Sequence, residues 1–310
     1  MVDQPRKLSL PPGYRPPRRG PTRWQVIRRR LIAVCVLGGL IGMLYLAVNV
    51  ALDRGSHTRS TTTTLVKPFR IVFPEGFTRR DMAARITSVD QIARRERGIK
   101  PALSASKYLK LTRSSPLPGL YAGDRKARAL EGFLFPATYD FLRSTSSEQL
   151  VGDQLVAFRS AWKKLDLSYA RSKNLTRYDV LIIASMIEKE AFSPDERAKV
   201  SGVIYNRLHQ HMKLGIDATL RYGLNLKPTD PLSPHLSSSS AYNTGERYGR
   251  YGLPPTPIAN PGLAAMQAAA HPDRRHHYLY YLRKPGTQRH YFTASAADFV
   301  NHERTWGYIK

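Results

Sequence analysis

The stretch Ala184-Ser185-Met186-Ile187-Glu188-Lys189-Glu190 sets two carboxylates into an otherwise apolar run with helical spacing. Ile183, Met186, Ile187 and Glu190 fall at i, i+3, i+4 and i+7, the spacing of one helix face. Two residues turn a helix by roughly 200°, so Glu188 points away from that face. On the apolar stripe Glu190 is desolvated, which disfavours its charged form and raises its pKa. A carboxylic acid still protonated near neutral pH is what glycosidic-bond cleavage needs in order to protonate a leaving oxygen. On the helix alone a second reading stands beside this one, with Glu190 at the rim of the stripe and its carboxylate in water.

The elements that would position these residues follow from periodicity and punctuation. Thr176 reads as the cap of the helix through Ile187, with a break at Ser193-Pro194. Glu148–Leu165 has a helical pattern carrying Leu150, Leu155, Phe158 and Trp162, and Asp195–His209 has one carrying Val200, Val203, Ile204 and Leu208. Residues 212–261 are rich in Gly, Pro, Ser and Tyr, a composition suited to substrate-binding loops on a scaffold. Pro261–Ala270 reads as a short helix, and Tyr278–Leu282 with Arg289–Phe292 as paired strands. Upstream, Phe69–Phe73 is β-prone, Pro74-Glu75-Gly76 is turn chemistry, and Thr78 caps a helix carrying Met82, Ala83 and Ile86. Residues 92–120 are irregular and basic. No internal repeat is present.

The first part of the chain differs from the rest. Residues 31–52 are uncharged, and as a helix they would measure about 33 Å against a hydrocarbon core of about 30 Å. Residues 1–30 carry nine Lys/Arg against Asp3 alone and end in Arg28-Arg29-Arg30, which places this arm in the cytoplasm and the C-terminal part across the membrane. The apolar run is too long for a signal-peptide core and lacks a small-x-small site. The arm, rich in Pro and Arg, is expected to be disordered and to favour anionic membrane lipid. Cys35, the only cysteine, lies inside the apolar run, so the remainder can form no internal disulfide.

Of the net charge of +26, +18 falls on residues 53–310, a surface attractive to polyanions. No zinc finger, RNA-binding sheet motif or basic zipper accompanies it, so nucleic acid is not an expected partner. The expected architecture is therefore α+β: a disordered arm (1–30), a single transmembrane helix (31–52), a tether (53–64), a small α+β module (65–129) and a larger α+β catalytic domain (130–310). The tether spans at most about 45 Å fully extended, which keeps the site near the bilayer.

A series of motifs resembles the membrane-anchored endolytic murein transglycosylases, the MltG (YceG-like) family. In order they are Glu131-Gly132-Phe133-Leu134-Phe135-Pro136-Ala137-Thr138-Tyr139, Ala184–Glu190, Val203-Ile204-Tyr205-Asn206-Arg207-Leu208 and Asp217-Ala218-Thr219-Leu220-Arg221-Tyr222. Ala241-Tyr242-Asn243-Thr244, Gly252–Gly262, Tyr278-Leu279-Tyr280 and His290-Tyr291-Phe292 complete the set. The resemblance implies cleavage within nascent glycan strands at the MurNAc–GlcNAc β-1,4 bond, leaving 1,6-anhydro-MurNAc ends, with Glu190 as the catalytic residue. It differs in two places. Members commonly carry a LysM-like module ahead of the Pro-Glu-Gly segment, whereas here only the tether precedes it. The loop before Asp217 usually holds a Gln and a small polar residue, where this chain has Gly215 and Ile216.

A hydrolytic glycosidase uses two carboxylates, but a lytic transglycosylase manages with one. Its acid protonates the leaving oxygen, and as carboxylate it then accepts the proton of the sugar's own C6 hydroxyl, which closes on C1 intramolecularly. Glu190 takes both roles, and Glu188 reads as a supporting or solvated residue. Asp217 either orients substrate and polarises Glu190 or stabilises a turn. Tyr242 and Asn243 are candidates for sugar hydroxyls, and Tyr139 and Tyr222 for stacking on a sugar ring, with core packing the alternative for each aromatic. Asn206 is either an interior hydrogen-bond partner or a sugar ligand. His271, His276, His277 and His290 match no zinc spacing and read as surface histidines, so neither metal nor cofactor is expected. Ser237–Ser240 lacks the glycines of a nucleophile elbow. Expected partners are peptidoglycan glycan strands, lipid for the arm, and cell-wall synthases. A hydrolytic muramidase and a catalytically degenerate cell-wall scaffold are the competing functions.

Overall fold

Alternation in Phe69-Arg70-Ile71-Val72 buries Phe69 and Ile71 and exposes their neighbours, which makes β1 (Phe69–Val72) a half-buried strand. A computed structural model describes residues 68–114, 117–121 and 129–309; the expected arm, transmembrane helix and tether lie outside the described residues. Among the described residues, no helix is long and apolar enough to cross a membrane.

β1 pairs antiparallel with β2 (Thr138–Phe141), with Phe69 opposite Phe141 and Ile71 opposite Tyr139. The Phe69 and Phe141 rings stack at 5.3 Å. Two strands alone are marginal in water, so this ribbon depends on the helices packed against it. α1 (Arg79–Arg97) begins in a capping box between Thr78 and Asp81, ends on Gly98 in the left-handed region, and buries Met82, Ala83, Ile86 and Ala93. It packs on α2 (Ala105–Ser114), which in turn packs on α3 (Ser147–Trp162). Tyr108 ties the three together, its hydroxyl donating to Gln154 at 2.8 Å and touching the Met82 sulfur.

The pairing of β1 with β2 crosses the expected division at residues 129 and 130, and residues 66–310 form one compact unit.

After a short helix α4 (Ser168–Ser172), α5 (Arg177–Glu190) forms the centre of the fold. Thr176 and Asp179 form its capping box, and every residue from Tyr178 to Ile187 is buried. A helix apolar all round belongs inside a core rather than on its surface. It packs against α6 (Arg197–His209) and, most extensively, α8 (Leu263–Ala270), whose alanines allow close approach. α7 (Asp217–Leu224) also packs on α5. The helix runs through Glu190, and Ala191 leaves helical geometry (φ −93°, ψ 98°), two residues ahead of the expected break at Ser193-Pro194. Glu190 is therefore the last helical residue.

A second antiparallel ribbon, β3 (Tyr280–Arg283) with β4 (His290–Thr293), pairs Tyr281 with Phe292 and Arg283 with His290. α9 (Ala296–Thr305) packs on it. The architecture is mixed helix and sheet, as expected.

Candidate active site

Glu190 sits at the C-terminal end of α5, where the helix dipole disfavours negative charge. Burial pushes its carboxyl up to about 7, and the neighbouring Asp217 adds to the rise. Three groups act the other way and favour the carboxylate. Tyr281 donates its hydroxyl to Oε2 at 3.2 Å, Arg283 contributes its charge, and the backbone N–H of Ala218 donates from the N-terminus of α7. The site thus holds a proton near neutrality while keeping donors in place for the anion left when the proton departs.

Three elements bring these groups together, and two more hold them in place. The α5 C-terminus supplies Glu190, the α7 N-terminus supplies Asp217 and Ala218, and β3 supplies Tyr281 and Arg283. α6 fixes the approach to β3, because Asn206 donates to the Tyr278 carbonyl at 2.9 Å and Arg207 donates to the Leu279 carbonyl. Asn206 is half-buried, and its Nδ2 is engaged by this carbonyl. β4 holds the Tyr281 ring: His290 meets it edge-on at 5.3 Å, and Phe292 lies 5.9 Å away. His290 is not a surface residue. It is buried, with Nδ1 2.8 Å from Glu196 Oε2 and its backbone N–H donating to Oε1 of the same carboxylate.

The loop entering α7 shows why glycine serves at position 215. Gly215 has φ +62°, and a Cβ there would lie 2.9 Å from the Arg207 side chain. Its N–H donates to the Thr244 carbonyl at 2.8 Å, and that of Ile216 donates to the Thr244 hydroxyl at 3.1 Å. Ile216 is buried, so the segment before Asp217 is anchored by backbone rather than by polar side chains.

Glu188 has different neighbours. Its Oε2 accepts from the Gly262 N–H at 2.9 Å, at the start of α8, and burial with nearby Glu75 raises its pKa. Because α5 is buried all round from Tyr178 to Ile187 and both glutamates are half-buried, the apolar stripe does not by itself separate them. What separates them is what each meets.

The other sequence candidates make their hydrogen bonds with groups other than Glu190. Tyr222 lies one turn beyond Ala218 on α7, but its hydroxyl donates to Glu131 Oε2 at 3.0 Å. Tyr242 packs edge-on against Tyr222 at 5.3 Å and shares a hydrogen bond with the Thr256 hydroxyl. Asn243 is buried and builds its own loop, donating to the carbonyls of Leu236 and Ser238 and accepting from the Gly245 N–H. Tyr139 donates to the Phe135 carbonyl and packs against Phe73.

Glu131 was missed as a titrating group. It is buried, and desolvation pushes it up to about 7 although Arg79, Tyr222 and Asn260 all favour its charge. Asn260 donates to its Oε1 at 2.9 Å and the Arg79 backbone N–H at 3.0 Å. An acid between Leu130 and the run Phe133–Phe135 carries the same signal that marked Glu190. Tyr281, inside the expected strand Tyr278–Leu282, and Arg283, just past its end, were also missed; two residues apart on β3, they share one face. Two cavities of ≈ 440 and ≈ 510 Å³, lined by Asn174, Leu175, Leu208 and their neighbours, include neither Glu190 nor Glu131.

The chain is 36% identical over 155 residues to an endolytic murein transglycosylase of Bacillus subtilis, covering 50% of this chain and 42% of that protein. It is 32% identical over 208 residues to an endolytic murein transglycosylase of Streptococcus pneumoniae, covering 65% of this chain and 35% of that protein. It thus spans less than half the length of these curated relatives. A crystal structure of a yceG-like protein from Listeria monocytogenes superposes with a TM-score of 0.59 at 28% identity, covering 76% of each chain. The model of the YceG-like family matches residues 49–305, and the chain belongs to that family.

Proposed function

We propose that this chain is a membrane-anchored endolytic lytic transglycosylase. It cleaves the MurNAc–GlcNAc β-1,4 bond of nascent peptidoglycan and leaves 1,6-anhydro-MurNAc ends. The observation that carries the reading is the setting of Glu190, an acid held near pH 7 by burial with Tyr281 and the Ala218 N–H ready to receive its anion. The names of the two relatives support the substrate class.

In this reading the Glu190 proton goes to the glycosidic oxygen as the bond to C1 breaks. The carboxylate is stabilised by Tyr281, Ala218 and Arg283, and then takes the C6 hydroxyl proton as that oxygen closes on C1. One group serves twice, and its pKa lies where both transfers are accessible at neutral pH. The uncharged run 31–52 after Arg28-Arg29-Arg30 supports a single-pass anchor with a cytoplasmic N-terminus, a lipid-binding arm and a site near newly made strands, where cell-wall synthases work.

Hydrolysis is the second reading, and Asp217 favours it, because a second carboxylate beside the acid could activate water. Full-length protein in detergent, incubated with nascent uncrosslinked glycan, decides between them by mass spectrometry of the new ends. Anhydro ends are expected; reducing ends establish hydrolysis, and no new ends with intact Glu190 support the scaffold reading.

A further inference from the structure

Phe192 lies two residues past Glu190, just beyond the end of α5, and is 50% exposed despite its large apolar ring. The Arg283 guanidinium sits over that ring, 5.0 Å from its centroid. Arg283 follows Tyr281 by two residues on β3, so the two side chains project to the same side of the ribbon, and the Arg283 charge is felt at Glu190. Phe192 and Arg283 therefore reach the same edge of the site from two different elements.

Arg283 acts on Glu190 only at a distance and is not tied up in a direct ion pair among the described residues. Nearby Arg289 pairs with Asp195 at 3.0 Å, and Arg207 pairs with Glu246. A guanidinium resting on an aromatic face is held in orientation while its N–H edges stay open to a carboxylate. With half of Phe192 exposed, part of its ring remains open as an apolar surface on which a sugar can lie.

We propose that Phe192 and Arg283 form a recognition subsite beside Glu190, in which Phe192 covers the apolar face of a sugar and Arg283 pairs with a carboxylate of the peptide branch on the same strand. The proposal rests on the peptidoglycan-cleaving reading above. It makes the enzyme selective for strands that still carry their peptides over stripped glycan, through a residue whose charge also acts on Glu190.

The test is equilibrium binding to the full-length chain carrying Glu190→Gln, so that nothing is turned over. The probes are a soluble glycan oligomer bearing its peptide stems and the same oligomer after amidase removal of the stems. Neither carries a lipid pyrophosphate, and amidase leaves a lactyl carboxylate on each MurNAc of the stripped oligomer, so a preference for the stem-bearing one reports the carboxylates carried farther out on the peptide. The stem-bearing oligomer should bind about 3–10-fold tighter, as a partly exposed charge-assisted contact allows, and the preference should shrink at high salt. Arg283→Ala should abolish the preference and Arg283→Lys retain part of it, while Phe192→Ala weakens both oligomers alike. Equal binding of the two oligomers, binding of neither, or an equal loss for both in Arg283→Ala overturns the proposal. The cleavage reading fails separately, on an absence of new strand ends when the unsubstituted protein meets nascent glycan.

Discussion

Tyr281 and Glu190, 91 residues apart in sequence, meet through one hydrogen bond of 3.2 Å in which the tyrosine donates. Its hydroxyl favours the charged form of an acid that burial keeps protonated. Tyr281→Phe should therefore raise the Glu190 pKa and move the alkaline fall of activity above its position near pH 7. Turnover below that limb should drop about tenfold, because the departing proton leaves a less stabilised anion. A pH–rate profile reads both effects, and a limb that moves downward counts against the role given to Tyr281.

Asp217 works in the opposite direction, since its charge helps to hold the proton on Glu190. Asp217→Asn should shift the alkaline limb to lower pH, so that activity at pH 7 falls more than activity at pH 5.5. A uniform loss at all pH values would instead assign Asp217 to substrate positioning alone.

The two glutamates of the helix should separate cleanly. Glu190→Gln retains shape and hydrogen bonding but neither gives nor takes a proton, and about 10²–10⁴-fold of turnover should disappear with the protein still folded. Glu188→Gln keeps an oxygen that can accept from the Gly262 N–H, so activity should stay within a few-fold of the parent. The reverse order of effects would remove Glu190 from the chemistry.

Glu131 should appear in stability rather than in turnover. Its folded pKa is raised from 4.5 to about 7, so the folded state holds the proton more tightly than the unfolded chain. The stabilisation is fully present below about pH 4.5 and is lost as pH rises through 7, a change of about 3 kcal/mol. Glu131→Gln should flatten that part of the curve in urea titrations at pH 5 and pH 8. An unchanged slope would mean that Glu131 is already ionised at pH 5.

Topology has its own check. A C-terminal alkaline phosphatase fusion should be active in cells and an N-terminal one inactive, as Arg28-Arg29-Arg30 beside the uncharged run predicts. The opposite pattern would overturn the anchor orientation.

What the sequence made legible was local. Thr78 and Thr176 were readable as caps because the cap is made within three residues, by Asp81 and Asp179. The titrating character of Glu190 was readable from its apolar neighbours. Its partners were not, because Tyr281 and Arg283 arrive on a strand whose distance along the chain carries no signal of proximity. Glu131 sat in plain view between apolar residues, but its burial depends on Arg79, Tyr222 and Asn260 closing around it. Nor could His290 be placed inside, since only the fold brings Glu196 to it.

Asn260 is wholly buried and hydrogen-bonds across the chain. Its Oδ1 accepts from the N–H groups of Gly132 and Leu134, its Nδ2 donates to the Phe77 carbonyl and to Glu131, and its own carbonyl accepts from the Gly76 N–H. The ribosome delivers this residue more than 180 positions after Phe77, whose carbonyl waits for it. At about 5–20 residues per second, that interval is on the order of ten seconds or more. During it, the segment around Phe77 and Glu131 lacks the side chain that satisfies its buried polar groups. Completion of the native state is thus a late, long-range event, and a nascent chain stalled before residue 260 should be sensitive to proteases and dependent on holding chaperones, however well its helices have formed.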